Sequence, residues 1–433
     1  MDHSGKRPKK HRCEITEELW PILLLLKCLG NCPLVKQRIQ TKSISESCPS
    51  DSEINEISAT AIIYQFYPKI SLGVILQVVL NFIYITASTL YAVNVTFRTP
   101  FIAPSLQDYK NFPSFIRPQN DSECINGYNA SQIELLDIIY GRAGALFYQL
   151  VLIMELVFSW WTAKDFARFV NNWEIFRHKY EQQFDPSYNN AWRNITLNLC
   201  RFKKKLLIVY TAIPVSFFIP VFALLNIKFS HWTQITFMIS STLQLIPRSL
   251  LEDAQMLFSY KILESCYIEV KKDIAAVVER DMGKVKAETI KAWGDLIDNV
   301  RSQSTLLQKT QSTMQLILLA FFTVSSTLFI FVTVNSNAIE NDDSKIYFLC
   351  LAVGFPIFAI ARLYAKIISA EKVTMEISGI LSRIRQSPIK ISFGNYVTLS
   401  KKLLLNVIGQ ILTYLIVLMQ IETSFAGGCK YSH

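Results

Sequence analysis

The sequence predicts an all-α membrane protein that crosses the bilayer seven times. Three observations support this: 51% of the 433 residues are hydrophobic, glycine and proline are scarce, and long uncharged runs recur along the chain. Runs of about 20 apolar residues match the thickness of a bilayer and exceed what ordinary core helices need. Five predicted spans contain no Asp, Glu, Lys or Arg: residues 70–97, 206–227, 229–247, 310–339 and 403–421.

Two further spans contain charged residues. Residues 143–163 include Glu155, and residues 346–369 acquire Arg362 and Lys366 at their far end. Charges inside spans are usually paired within the helix bundle, so we expect Glu155 and Arg248 to have local partners. A direct part in gating is the alternative for these two residues.

The N-terminal run "LWPILLLLKCLGNCP" is too short to cross a membrane. It has about nine apolar residues and is interrupted by Lys27, whereas a span needs about 20. We expect residues 1–69 to be a cytoplasmic segment with a short interfacial helix. A signal peptide is the alternative, although the run contains a lysine and lacks a small-x-small cleavage site.

The distribution of positive charge predicts the orientation. A cytoplasmic N-terminus places 36 of the 44 lysines and arginines on the inside, as the positive-inside rule requires. The glycosylation sequons at Asn94, Asn120 and Asn129 then fall in or beside an outer loop, residues 98–142. The net charge of +10 therefore reflects topology and does not indicate nucleic acid.

The remaining segments follow from this topology. Residues 70–260 hold spans one to four, residues 310–369 hold spans five and six, and residues 370–402 form a cytoplasmic segment. Residues 403–423 form span seven, and residues 424–433 form an outer tail. In this arrangement Cys124 and Cys429 both face the outside, and sequence alone leaves a disulfide between them open.

Residues 261–309 are predicted to extend spans four and five into the cytoplasm as long helices. The segment has no proline, only two glycines, and nine basic against eight acidic residues, with apolar positions at helical spacing. Such a hairpin suits an anchor region where subunits meet. A solvated helical loop is the alternative.

No pattern for catalysis, metal binding or cofactor binding is present. The five histidines form no ligand pair, and the chain has no phosphate-binding loop and no Ser-His-Asp set on one side of the membrane. The sequence therefore predicts a receptor, a channel or a transporter, and no enzyme.

Span seven carries a polar stripe. At 100° per residue its members lie within a sector about 80° wide. Such a stripe is explained either by hydrogen bonds to neighbouring helices or by an aqueous pore, since unsatisfied amides are costly in hydrocarbon. The members of the stripe are Asn406, Gln410, Thr413, Val417, Gln420 and Ser424.

The pattern Thr413, Tyr414, five hydrophobic residues and Gln420 in the last span resembles the signature of the arthropod gustatory receptor family. The stretch "LLLKCLGNCP" resembles that family's N-terminal Leu-Gly-x-x-Pro region, whereas residues 391–404 depart from its usual Cys- and Phe-rich stretch. The resemblance implies a tastant-gated cation channel in the plasma membrane of sensory neurons. It further implies a homo- or hetero-tetramer of related subunits, in which Gln420 faces the conduction path and Val417 forms or adjoins the gate.

Polar and aromatic residues in the outer halves of the other spans suggest a region for the small-molecule ligand, although any one of them is more often a packing contact. The candidates are Tyr84, Thr89, Tyr148, Gln149, Gln234, Ser240 and Ser326.

Two other classes of membrane protein fit the sequence less well. A G-protein-coupled receptor has its N-terminus outside and commonly carries Asp-Arg-Tyr and Asn-Pro-x-x-Tyr motifs, which are absent here. A small-solute transporter is disfavoured because the chain lacks internal repeats and paired broken helices.

Overall fold

A computed structural model of the chain describes residues 14–28, 32–41, 61–68, 144–184, 188–212, 232–281, 285–334, 342–384 and 397–427, together with residues 75, 79, 82, 83, 86, 216, 392 and 393. These residues form seven α-helices and two small antiparallel hairpins, so the fold is nearly all helical, as predicted. In chain order the elements are α1 (Glu14–Cys28), β1 (Leu34–Thr41), β2 (Ala61–Pro68), α2 (Gly144–Phe184), α3 (Tyr188–Leu207), α4 (Trp232–Arg280), α5 (Ala287–Val334), α6 (Asp342–Ile384), β3 (Ser392–Phe393), β4 (Val397–Thr398) and α7 (Lys401–Gly427).

The two longest helices, α4 and α5, have 49 and 48 residues. Residues 261–280 and 287–309 belong to them, so the segment is helical as predicted, and its cytoplasmic position stays a prediction. Their apolar side chains, including Leu263, Val270 and Val300, are buried in the main core of the chain. The parts of this hairpin up to Val270 and from Trp293 onward belong to the core, whereas the described residues from 271 to 292 are exposed or half-buried.

An aromatic row on α2 forms the centre of that core. Phe166, Phe169, Trp173, Phe176 and Tyr180 alternate at spacings of three and four residues, which places them on one helix face. Neighbouring ring centroids along the row are 5.6 to 5.8 Å apart. Edge-to-face and stacked pairs at this distance add to the stabilisation from burial.

Helix α1 differs from the interfacial helix that the sequence predicted. Ile15, Leu19, Ile22 and Leu23 are 0–1% exposed and pack in the main core. Two ion pairs hold the helix in place, from Glu17 to Lys36 and from Glu18 to Lys203. A short apolar run suits a membrane interface and a helix bundle equally well, and here the bundle buries it. This packing likewise disfavours the signal-peptide alternative.

The hairpin of β1 and β2 was not predicted. The two strands pair antiparallel from Leu34 opposite Pro68 to Thr41 opposite Ala61. The side chain of Asn171 on α2 accepts a hydrogen bond from the Phe66 N–H at 2.8 Å and donates one to the Phe66 carbonyl at 2.6 Å. This amide occupies backbone groups that a further strand would otherwise pair with, and it holds the hairpin against α2.

Helix α6 extends well past residue 369, where span six was expected to end. In this C-terminal extension, Glu371 accepts a hydrogen bond at 3.2 Å from the backbone N–H of Lys401, the first residue of α7. A carboxylate at a helix N-terminus satisfies an unpaired N–H and complements the helix dipole. The start of α7 is therefore fixed to α6.

Candidate functional site

Helix α7 has one buried seam. Val407 and Ile411 pack against Leu363 and Ile367 of α6, and partly buried residues of α5 and α7 complete this small cluster. Only 11% of Lys401–Gln420 is buried, and among the described residues this is the one helix long and apolar enough to cross a bilayer. The helix is therefore attached along a narrow line and exposed over most of its surface.

The predicted polar stripe lies on the exposed surface of α7. The side chains of Asn406, Gln410, Thr413, Val417 and Gln420 are all exposed. At 100° per residue the stripe is centred about 120° from the seam. Five members of the stripe therefore lie together as predicted, while the side chain of Ser424 is outside the described residues.

This position bears on the two explanations of the stripe. Packing within the same helix bundle requires Asn406 and Gln410 to face α5 or α6, and both point away from them. Thr413 satisfies its own hydroxyl by donating to the Gly409 carbonyl at 2.9 Å. The exposure of Asn406 and Gln410 favours an aqueous surrounding over packing within the described part of the bundle.

Gly409 lies on the exposed side of the same helix. A Cβ atom built at this position meets nothing within 4 Å. Glycine in a helix interior costs about 0.5–1 kcal/mol relative to alanine. Since no packing within the chain explains this cost, the position leaves room for a close approach from outside.

A buried ion network lies behind the seam. Asp253 of α4 is fully buried and contacts two cations of α6, the Arg362 Nε at 2.6 Å and the Lys366 Nζ at 2.5 Å. Lys366 also donates to the Gln315 side chain of α5 at 2.5 Å, and Arg362 donates to the Ser249 carbonyl at 3.1 Å. The network thus connects α4, α5 and α6.

Arg362 is enclosed further by aromatic rings. Its guanidinium carbon lies 4.4 Å from the centre of the Phe322 ring and 5.7 Å from that of Phe358. A cation over an aromatic face gains energy when water is excluded. Arg362 and Lys366 are only 4% and 5% exposed, so the network depends on these partners instead of solvent.

A second set of charges extends the network to α2. Glu155 and Arg248 are buried and lie within each other's electrostatic influence, together with Glu252. Ser159 donates to Glu252 at 3.1 Å, whereas no described residue hydrogen-bonds either carboxylate oxygen of Glu155. The expectation of local charged partners for Glu155 and Arg248 therefore agrees with the structure.

Sequence reasoning missed the network itself. It noted Arg362 and Lys366 at the far end of span six and did not consider Asp253 as their partner. The available signal was the spacing of Arg362 and Lys366, which puts two cations on one face of α6. Two like charges on a face that is otherwise apolar need a shared counter-ion.

Two cavities lie near these charges. One, of about 30 Å³, is enclosed by Gln315, Ser326, Arg362 and Lys366 on one side and by the seam of α7 on the other. It has room for one or two water molecules. The other, of about 60 Å³, lies between α2, α4, α5 and residues 32–34, and polar groups including Ser159, Glu252 and Gln311 line it.

Of the predicted ligand-pocket residues, the structure places Ser326 alone in full, buried at the wall of the smaller cavity. Tyr148, Gln149, Gln234 and Ser240 lie in α2 and α4, but their side chains are outside the described residues. Also outside the described residues are Tyr84, Thr89, Asn94, Asn120, Cys124, Asn129 and Cys429.

Three groups outside α7 have shifted pKa values. Burial and the neighbouring Asp273 carboxylate raise the pKa of Tyr180, which donates a hydrogen bond to that carboxylate. Burial raises the pKa of Asp273, although the hydrogen bond from Tyr180 opposes the shift. Burial raises the pKa of the Cys32 thiol to about 11. These shifts reflect packing of the core below α7.

Comparison with known proteins gives a likeness to solved structures. No family model and no curated protein matches the chain. Among solved structures, the insect olfactory receptor OR5 from Machilis hrabei in complex with eugenol matches with a TM-score of 0.49 and 12% identity, over 94% of this chain and 98% of that one. At this score and identity no residue role is transferred.

Proposed function

We propose that the chain is a chemosensory receptor of the gustatory type and acts as one subunit of a ligand-gated, weakly selective cation channel. The observation that carries this proposal is the exposed polar stripe of α7, with Val417 among Asn406, Gln410, Thr413 and Gln420. The side chains of Asn406 and Gln410 are exposed, and an assembly would supply their surroundings.

A central pore satisfies the stripe better than lipid does. In lipid the amides of Asn406 and Gln410 would each cost free energy, because hydrocarbon offers no hydrogen-bond partners. In a ring of identical subunits the same face of α7 meets the symmetry axis from every copy, and water fills the space between. Four subunits follow from the sequence resemblance, and Gly409 leaves room for neighbouring helices to approach.

The residues of the stripe then have separate roles. Four Val417 side chains near the axis would exclude water and block ions by dewetting. Four Gln420 amides would replace part of an ion's hydration shell without a fixed charge, which gives weak selectivity. The channel opens when a ligand binds the open arrangement better than the closed one.

The proposed topology has seven spans, a cytoplasmic N-terminus, an outer loop at residues 98–142 and an outer C-terminus, in the plasma membrane of sensory neurons. A small-molecule tastant would bind among the outer halves of the helices, where Tyr84, Tyr148 and Gln234 are proposed contacts. Glycosidase treatment of the expressed protein tests the topology. Loss of mass that depends on Asn94, Asn120 or Asn129 supports it, and unmodified sequons in a cell-surface protein contradict it.

Substitutions on two sides of α7 test the pore. Gln420→Ala should change unitary conductance or relative permeability, and Val417→Cys should make the open channel sensitive to a water-soluble thiol reagent. Leu412→Cys is the matched control: Leu412 is exposed, yet it lies about 120° from the centre of the stripe. Its thiol should not block current.

The readout is ligand-evoked current from cells that express each variant at equal surface density. Unchanged permeation in Gln420→Ala together with equal block at positions 412 and 417 would return the stripe to a role in assembly. A panel of sugars, bitter compounds and other tastants on the wild-type channel supplies the ligand for the assay.

A further inference from the structure

A basic patch lies where α2 and α5 meet at the surface. It consists of Lys164 and Arg168 on α2 and Lys309 on α5, with Asp165 between them. Arg168 lies 3.3 Å and Lys309 lies 3.0 Å from the Asp165 carboxylate, so one anion holds cations from two helices together. The side chains of Arg168 and Lys309 are 60% and 70% exposed.

The patch has more positive charge than its own chain neutralises. The patch contains three cations and one carboxylate. Among the described residues Lys164 makes no ion pair. Lys164 and Arg168 are four residues apart on one helix, where like charges repel and destabilise the helix slightly. An external anion would relieve this repulsion.

An exposed tryptophan adjoins the patch on its apolar side. Trp161 is 79% exposed, and Val157, one turn further, is 51% exposed. Trp161, Lys164, Asp165 and Arg168 lie on one face of α2 because they are three, four and seven residues apart. Along this face the surface therefore changes from apolar to basic within one turn.

The same change occurs on α5 at the same level. From Thr310 onward α5 has no charged residue, and Lys309 is the last charge before this apolar part. The ion pair between Lys309 and Asp165 aligns the two transitions. Tryptophan beside a row of lysine and arginine is the arrangement found where a protein surface passes from acyl chains to headgroups.

We infer that the basic patch binds the headgroup of an anionic phospholipid, with the phosphate between Lys164, Arg168 and Lys309 and Trp161 against the upper part of the acyl chains. The inference rests on the membrane location in the proposed function and adds a lipid partner to it. Charge complementarity selects an anionic over a zwitterionic lipid. Anionic headgroups create a negative surface potential that attracts each nearby lysine or arginine, and zwitterionic headgroups create no such potential.

The test uses full-length protein reconstituted in bilayers that contain a small fraction of brominated lipid, either brominated phosphatidylserine or brominated phosphatidylcholine. Bromine quenches nearby tryptophan, and the difference between wild type and Trp161→Phe isolates the signal of Trp161. At equal mole fraction, brominated phosphatidylserine should quench Trp161 several-fold more strongly. Each of Lys164→Gln, Arg168→Gln and Lys309→Gln should lower this preference by roughly fivefold.

Lys291→Gln is the matched control. Lys291 is exposed on the same helix as Lys309 but lies about 27 Å from it along the axis, and its substitution should leave the preference intact. Equal quenching by both lipids overturns the inference and leaves the membrane location standing. Absence of quenching by either lipid overturns the inference together with the proposed membrane boundary.

Discussion

Replacing Asp253 by Asn should destabilise the protein strongly, because it removes the shared anion of the buried network. The amide keeps the shape of the carboxylate but leaves Arg362 and Lys366, at 4% and 5% exposure, with a neutral partner. Breaking a buried ion pair by removing one partner costs about 3–5 kcal/mol. We therefore expect Asp253→Asn to lower the free energy of unfolding by that amount.

Lys366→Met should cost less. It removes one cation, and Asp253 keeps its contact with Arg362 at 2.6 Å. The cost comes mainly from the Gln315 carbonyl oxygen that loses its donor, at about 1–3 kcal/mol. The double variant, which combines Asp253→Asn with Lys366→Met, leaves one unpaired cation instead of two. Its loss of unfolding free energy should therefore be smaller than the sum of the two single losses by about 0.5–3 kcal/mol.

Lys271→Met is the control for the substitution itself. Lys271 pairs with Glu376 at 3.1 Å, but the two side chains are 42% and 29% exposed. An exposed pair of this kind contributes about 0–1 kcal/mol. The same change of lysine to methionine is thus made once in the buried network and once near the surface.

The measurement is denaturant unfolding of the purified protein in detergent, followed by tryptophan fluorescence for all four variants and the wild type. The expected order of destabilisation is Asp253→Asn first, then Lys366→Met, then Lys271→Met. If Asp253→Asn lowers the free energy of unfolding no more than Lys271→Met does, the charges of the network are not shielded from solvent in the way that the structure shows. If the double variant is strictly additive, the contact between Asp253 and Lys366 is absent.

Three further predictions concern the other contacts of the core. Asn171→Ala should cost about 1–3 kcal/mol of unfolding free energy and increase hydrogen exchange at the Phe66 amide, because both hydrogen bonds to that residue are lost. In the folded protein at pH 8, iodoacetamide should label the exposed Cys28 well before the buried Cys32, whose pKa of about 11 leaves little thiolate, and mass spectrometry of peptides reads the ratio. Glu371→Ala should cost about 1 kcal/mol through the lost cap of α7 and increase exchange in its first turn, whereas Glu371→Gln, which keeps an acceptor, should cost less.

The face of α7 that carries the polar stripe was predictable because the information is local. Asn406, Gln410, Thr413 and Gln420 repeat at helical spacing within one segment, and periodicity alone brings them together. The long helices α4 and α5 follow in the same way, since residues 261–309 lack proline and keep apolar positions in register. Periodicity does not predict which face of α7 packs against other helices. The structure shows that the polar face is exposed.

The ion network and the hairpin contact were not predictable for the opposite reason. Asp253 and Arg362 are 109 residues apart, and Asn171 and Phe66 are 105 apart, so their pairing depends on tertiary packing. Helix α1 shows a related difficulty, because its apolar run suits a membrane interface and a bundle core alike. Only neighbours supplied by distant parts of the chain decide between the two.

The contrast between the network and the seam bears on how the proposed gate works. Asp253, Gln315 and Lys366 connect α4, α5 and α6 through contacts that are costly to break because the charged groups are buried. Helix α7, in contrast, is held by a narrow apolar seam with a cavity of about 30 Å³ behind it, and apolar contacts of this kind can slide at small cost. In the proposed channel, a ligand that shifts α6 would therefore carry α4 and α5 with it as one body. The seam, together with the cap at Glu371, is then the place where α7 changes its position relative to that body and moves Val417.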